Sequence, residues 1–397
     1  MSLSGRTVLV TGGTGFIGGR LVERLVLEEG CRVRVLVRNF ARAPRIAGFP
    51  IEMRSGDITD RSAVEAATEG CDVVFHCAFD FVPTLRGQRR TGVEGTTNVA
   101  EAALAAGVER LVHLSTVAVH WPAGDGDLDE DSPWPSSEDA YTLVKREAEE
   151  RVGELHREGG LPAVILRPTL VYGPFSDFWT LKPVQRLRKG QVPLMDGGKG
   201  LCNAVYVDDV VDAMLLAASR PGVEGKAFLV SADAPISWRT FLTALEEAAG
   251  VESLVEMSAL EVRERIRDGE RRRSLTFRVG KRLADPRTMT RLGGSPLGRL
   301  RRLIPGPVRR TAHRWLVERY GEPSDGGVDG SRGRRLVLPD ENQIALQTSA
   351  IHVRIEKARR ELGYAPQFDF ERGMEASRRF LEWANLSGAD PPRWRNR

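Results

Sequence analysis

Short apolar runs alternate with helix-period segments through the first half of the chain. Thr7–Val10, Arg32–Val37, Val73–His76, Leu111–Leu114 and Ala163–Leu166 read as strands, and Leu21–Leu27 reads as a helix. Gly30 and Gly107 stand where the first helix and one beginning near Val93 must stop. Such alternation predicts an α/β fold with a doubly wound parallel sheet. After Pro174 the pattern turns irregular, and Ala204–Val207 and Ala227–Val230 then read as strands again.

The turn after the first strand carries chemistry. Thr11-Gly12-Gly13-Thr14-Gly15-Phe16-Ile17-Gly18 spaces three glycines as a diphosphate requires. Gly12 permits the tight turn, Gly15 lets backbone N–H groups approach phosphate, and Gly18 lets helix pack on strand. A diphosphate there lies at a helix N-terminus, where free N–H groups and the helix dipole favour anions. Two further features follow in order. Ser115-Thr116 ends the run Arg110–Leu114, placing hydroxyls at the carboxyl edge of the sheet, and Tyr141-Thr142-Leu143-Val144-Lys145 sets a phenol and an ammonium one helical turn apart.

Glycine-rich turn, strand-end hydroxyl and Tyr-x-x-x-Lys together resemble the extended short-chain dehydrogenase/reductase family, also called the NAD-dependent epimerase/dehydratase family. Further landmarks in the same order resemble it too: Asp57-Ile58, His76-Cys77-Ala78, Val93-Glu94-Gly95-Thr96, Arg167-Pro168, Val207-Asp208-Asp209-Val210 and Leu362-Gly363-Tyr364. The resemblance implies a Rossmann-type sheet with a smaller, interleaved C-terminal substrate-binding domain. The dinucleotide domain is expected at 1–174, with 204–235 returning to it; 175–203 and 236–397 form the substrate-binding or lid part. The expected catalytic residues are Thr116, Tyr141 and Lys145. Thr116 is preferred to Ser115 because it lies at the family's interval before Tyr141, whereas Ser115 faces the other way on a strand. The expected cofactor contacts are Gly12, Thr14, Gly15, Phe16, Ile17, Gly18, Arg38, Asp57, Ile58, Cys77, Ala78, Tyr141, Lys145 and Pro168. Gly92 departs from the pattern, standing where many relatives carry asparagine; Asn98 is a candidate replacement.

A phenol is a poor base at neutral pH unless its anion is stabilised, which Lys145 and an oxidised nicotinamide can do. Lys145 is also placed to hold the nicotinamide ribose, as its family counterpart does. No Asp or Glu occurs between Cys31 and Pro50, while Arg38, Arg42 and Arg45 do. That loop favours NADP over NAD, since arginine suits a 2′-phosphate. Leu170 and Cys202-Asn203 stand where nucleotide-sugar enzymes carry polar anchors, and Phe79, Phe81, Phe175, Phe178 and Trp179 follow strands whose ends line the pocket. The first expectation is therefore an oxidoreductase interconverting a secondary alcohol and a ketone on a small molecule. The alternatives are a nucleotide-sugar epimerase or dehydratase using transient oxidation, and a non-catalytic nucleotide sensor.

Composition alters this picture little. The 397 residues are 41% hydrophobic and 28% charged, as in an ordinary globular protein. No apolar run reaches membrane-spanning length and no signal-type segment precedes the first strand, so a cytoplasmic enzyme without nucleic-acid partners is expected. Cys31, Cys71, Cys77 and Cys202 lack metal or redox spacing and read as small hydrophobes; no metal is expected. Charge is uneven. Residues 263–319 hold 18 Lys or Arg against 5 Asp or Glu, in a chain whose net charge is +4. This basic insertion reads first as a solvated lid, second as a grip on an anionic substrate tail and third as a membrane-surface contact. The family habit of pairing the helices near Val93 and Tyr141 implies a homodimer.

Overall fold

The computed structural model describes residues 2–269 and 335–387. Most of the basic insertion therefore lies outside the described residues. Strands β1 (Thr7–Thr11), β2 (Arg32–Val37) and β3 (Glu52–Ser55) run one way from the centre of the sheet. Strands β4 (Val73–His76), β5 (Arg110–Leu114), β7 (Ala163–Pro168) and β12 (Ala227–Val230) extend the sheet to the opposite edge, with the short β6 (Gly126–Leu128) lying between β5 and β7 in sequence. The order β12-β7-β5-β4-β1-β2-β3 is parallel throughout. Strand order reverses between β1 and β4, and open α/β sheets bind ligands at the carboxyl ends of such a pair.

Helices cover both faces. On one side lie α2 (Arg61–Thr68), α4 (Gly95–Ala105) and α5 (Ala140–Gly159), which share a core with Leu9, Val74, Leu111 and Ile165. On the other, α1 (Phe16–Leu27) packs on α7 (Val207–Ser219). The helix expected near Val93 begins earlier: α3 (Leu85–Arg89) runs through a wide turn, Arg90–Glu94, into α4. β3 escapes the hydrophobic pattern because Glu-Met-Arg-Ser sits on an exposed edge and buries no side chain fully.

Ala204–Val207 does not rejoin the large sheet as expected. β11 (Ala204–Tyr206) pairs instead with β8 (Leu170–Tyr172), and only β12 returns to the sheet. The compact units also divide the chain differently from the expected boundaries. One comprises Met1–Gln185, Gly200–Gly250 and Ser349–Arg397; the other comprises Arg186–Lys199 and Val251–Thr348. The first includes α8 (Trp238–Ala249) and α10 (Phe370–Trp383), with α9 (Glu341–Thr348) belonging to the second. In the second unit β9 (Val192–Met195) pairs in parallel with β14 (Leu254–Met257), and Met195, Ala259, Val262 and Ile344 form its core.

Candidate active site

The glycine turn is built around close approach. Gly12 has φ +71°, and a Cβ there would lie 2.6 Å from the amide nitrogen of Ala78. The turns after β1 and β4 thus touch backbone to backbone, a contact that only glycine allows. Gly18 packs on the Gly12 carbonyl. Gly15 caps α1 without a side-chain hydrogen bond. Thr14, Phe16 and Ile17 are half-buried around this terminus. An uncapped terminus facing a cradle that no Cβ could enter fits a diphosphate.

Asp139 caps α5 by accepting a 2.8 Å hydrogen bond from the Thr142 amide, and this starts the helix just before Tyr141. Lys145, one turn on, is buried and donates to the Leu114 carbonyl at 3.0 Å. Its ammonium also lies 4.8 Å from the centre of the Phe79 ring. Burial brings its pKa down to about 8, against the opposing pull of Glu149. The Tyr141 phenol is pushed up to about 12 by burial, while the Thr116 hydroxyl pulls the other way. Thr116 itself caps the short turn Val117–His120, its hydroxyl accepting from the Ala118 amide at 3.2 Å. Thr116, Tyr141 and Lys145 therefore converge at the carboxyl edge of β5, and Pro168 ends β7 beside it in the sheet.

The NAD dependent epimerase/dehydratase family matches residues 8–231. The chain belongs to this family. Among curated relatives, the 4-hydroxy-2-methyl-3-oxo-4-farnesyl-3,4-dihydroquinoline-1-oxide ketoreductase of Stigmatella aurantiaca is 33% identical over 62% of this chain and 74% of its own. The UDP-glucose 4-epimerase of Vibrio cholerae is 31% identical over 57% and 70%. A solved UDP-glucose 4-epimerase from Thermotoga maritima, with UDP-glucose, superposes with a TM-score of 0.63 at 19% identity, covering 96% and 99% of the two chains. This epimerase/dehydratase-family protein is thus a Rossmann-fold enzyme of nicotinamide-dinucleotide redox chemistry on small molecules. Among its described residues no helix is long and apolar enough to cross a membrane, and no group of His, Cys, Asp and Glu could hold a metal ion.

Other expected contacts are qualified by their surroundings. Arg38 directly follows β2 and pairs with Asp80 at 2.9 Å and with Asp57 at 3.6 Å. Acids absent from its own loop arrive from the loops after β3 and β4, and Asp80 was not legible as a site residue. Burial raises the Asp57 pKa, yet hydrogen bonds from Thr59 and the Arg38 charge outweigh it and leave the carboxyl below its ordinary value. Arg45 is turned away to Glu23 and the Phe16 carbonyl. Ile58 is buried against Gly95. Cys77 and Ala78 flank Gly12, and burial pushes the Cys77 thiol up to about 12. All four cysteines are free.

Several alternatives take structural roles. Asn98 donates to the Ile58 carbonyl at 2.9 Å. Gly92 is small for packing: a Cβ there would strike Val144 and lie 3.0 Å from the Phe79 ring. Cys202 is buried, and Asn203 is bound to the backbone of Ile351 and Val353. Phe79, Phe81 and Phe178 do gather at Tyr141, with ring centroids 4.8–5.2 Å apart. Phe175 and Trp179 do not; the first packs on Phe380 and Trp383, the second on Trp238.

Proposed function

We propose that this enzyme moves a hydride between a nicotinamide dinucleotide and the carbinol carbon of a small molecule, with Tyr141 handling the hydroxyl proton. The observation that carries this reading is the convergence of Tyr141 and Lys145, one helical turn apart on α5, on the Phe79 ring at the carboxyl edge of β5, which Thr116 follows. When bound, the dinucleotide supplies the hydride donor or acceptor. Tyr141 gives its proton to the substrate oxygen during reduction and accepts one during oxidation. The Thr116 hydroxyl holds that oxygen and stabilises charge developing on it. Lys145 contributes positive charge beside the phenol and a donor for the ribose. NADP is the preferred cofactor in this reading, with Arg38 facing the 2′-phosphate.

Two outcomes of the same chemistry are distinguished. Net interconversion of an apolar ketone and its alcohol is supported by the ring cluster of Phe79, Phe81 and Phe178, by the engagement of Asn203 with backbone, and by the Stigmatella ketoreductase. Transient oxidation of a nucleotide sugar is supported by the Vibrio relative and by the solved epimerase matching nearly the whole chain. The comparisons taken together lean towards this second outcome, while the residues around Tyr141 lean towards the first. The experiment incubates purified enzyme with NADPH and aryl ketones, or with UDP- and dTDP-hexoses. A reductase oxidises one NADPH per product, whereas an epimerase or dehydratase converts the sugar with no net change in nicotinamide. In either case Tyr141→Phe abolishes turnover and leaves dinucleotide affinity nearly unchanged; retention of more than about a tenth of the activity removes Tyr141 from the mechanism.

A further inference from the structure

Ser115 and Thr116 are adjacent, yet their hydroxyls serve different partners. Thr116 caps the turn that follows β5 and draws the Tyr141 phenol's pKa down, whereas Ser115 donates to the buried carboxylate of Glu149. Glu149 lies one turn beyond Lys145 on α5 and receives a two-pronged ion pair from Arg167 of β7, at 2.6–3.1 Å. Both side chains are more than nine-tenths buried. Arg167 has a further bond, at 3.1 Å, to Nε2 of His120 at the far end of the Val117–His120 turn. Guanidinium has no acceptor, so that ring nitrogen accepts. Arg146, also on α5, donates to the carbonyls of Val119 and Trp121 at 2.7 and 3.1 Å.

The segment 115–121 is therefore gripped at both ends and along its backbone by α5 and the Glu149–Arg167 pair. Thr116 is the residue in this segment that faces the reaction. We propose that Ser115, Glu149 and Arg167 are positioning residues, a buried relay that sets the Thr116 hydroxyl against the Tyr141 phenol. The helix that carries Tyr141 and Lys145 also carries Arg146 and Glu149, so one rigid element spaces all three reacting groups. A buried pair of this kind is weak evidence for added stability, and its known use is to specify geometry. This inference rests on the hydride-transfer reading for its kinetic consequence but not for its structural one.

The test uses Ser115→Ala, Ser115→Thr, Glu149→Gln and Thr116→Ala in the full chain. Crystal structures of Ser115→Ala and Glu149→Gln are expected to show the Thr116 oxygen displaced from the Tyr141 phenol relative to wild type, with the Gly12–Gly18 turn unmoved. A Thr116–Tyr141 separation unchanged from wild type in both overturns the proposal. Should Glu149→Gln fail to fold, Ser115→Ala, which removes one hydroxyl, carries the structural arm alone. With whichever substrate the wild type accepts, Ser115→Ala lowers kcat about tenfold without raising KM for the dinucleotide, and Ser115→Thr recovers most of it. In the Thr116→Ala background the Ser115→Ala effect vanishes, because the relay then has nothing to position. Equal losses in both backgrounds would mean a general stability defect and would refute the relay. Tyr141→Phe is assayed alongside: if it stays fully active the hydride-transfer reading fails, while the crystal structures still decide the relay.

Discussion

Lys145 is held between opposing influences of its surroundings. The ammonium gains the Leu114 carbonyl and the Phe79 ring, but desolvation brings its pKa from 10.5 to about 8. The unfolded chain therefore binds more protons than the folded one between those two values, and Lys145 makes stability rise with pH across that window. Melting curves should show wild type gaining up to about 3 kcal/mol relative to Lys145→Met from pH 8 to 10.5. Parallel curves for the two proteins would mean that the amine is better solvated than its surroundings indicate. Arg38 presents a second residue-scale conflict, since Asp80 and Asp57 already occupy the group proposed to meet a 2′-phosphate. Calorimetry should find that Arg38→Ala narrows the NADPH-over-NADH preference by about 1–3 kcal/mol. Asp80→Asn, which frees the guanidinium, should widen it. Equal affinities for both cofactors in the wild type would remove Arg38 from that role.

Among the elements, α5 and the wide turn before α4 are fitted to each other. Gly92 lets α5 approach close enough for Val144 and Phe79 to pack there, and Phe79 in turn stacks edge-on against Tyr141. Restoring the asparagine common among relatives should therefore fail: Gly92→Asn is expected to destabilise by about 1–3 kcal/mol through overpacking. It should also lower turnover, because the displaced Phe79 ring lies against both Tyr141 and Lys145. Thermal melting and kinetics check the two effects, and a stable, fully active Gly92→Asn would show that the close packing is dispensable. The acidic start of α7 has a comparable structural purpose. Asp208 pairs with Arg20 and Asp212 with Arg24, while Asp209 accepts from the Gln367 and Phe368 amides. These contacts tie α7 to α1 and to the segment leading into α10.

For the whole molecule, the parallel sheet brings the ends of β1, β4, β5 and β7 to one edge, where the glycine turn, Thr116, Tyr141 and Lys145 stand together. A homodimer formed by α4 and α5 remains the expectation for the assembled enzyme. Light scattering at micromolar concentration should give twice the chain mass of 43.8 kDa. A charge substitution on the exposed face of those helices, such as Glu150→Arg, should shift that equilibrium. A monomeric wild type would dismiss the arrangement.

The parts legible in the sequence were those governed by local rules. The Gly12–Gly18 spacing, the five apolar runs of the sheet's core and the one-turn interval from Tyr141 to Lys145 each depend on residues near one another in the chain. Backbone sterics, strand burial and helical pitch suffice to read them. The edge strand Glu52–Ser55 was hidden because it buries too little to leave a pattern, and Ala204–Tyr206 was read as a strand without its partner being readable. Tertiary structure alone brought Asp80 to Arg38, occupied Asn98 and Asn203 with backbone groups, and joined Ser115 to Glu149 and Arg167. Those outcomes depend on pairing between distant residues. Electrostatic and hydrogen-bond partners are chosen by distance in space, which a linear pattern of polar and apolar positions does not encode.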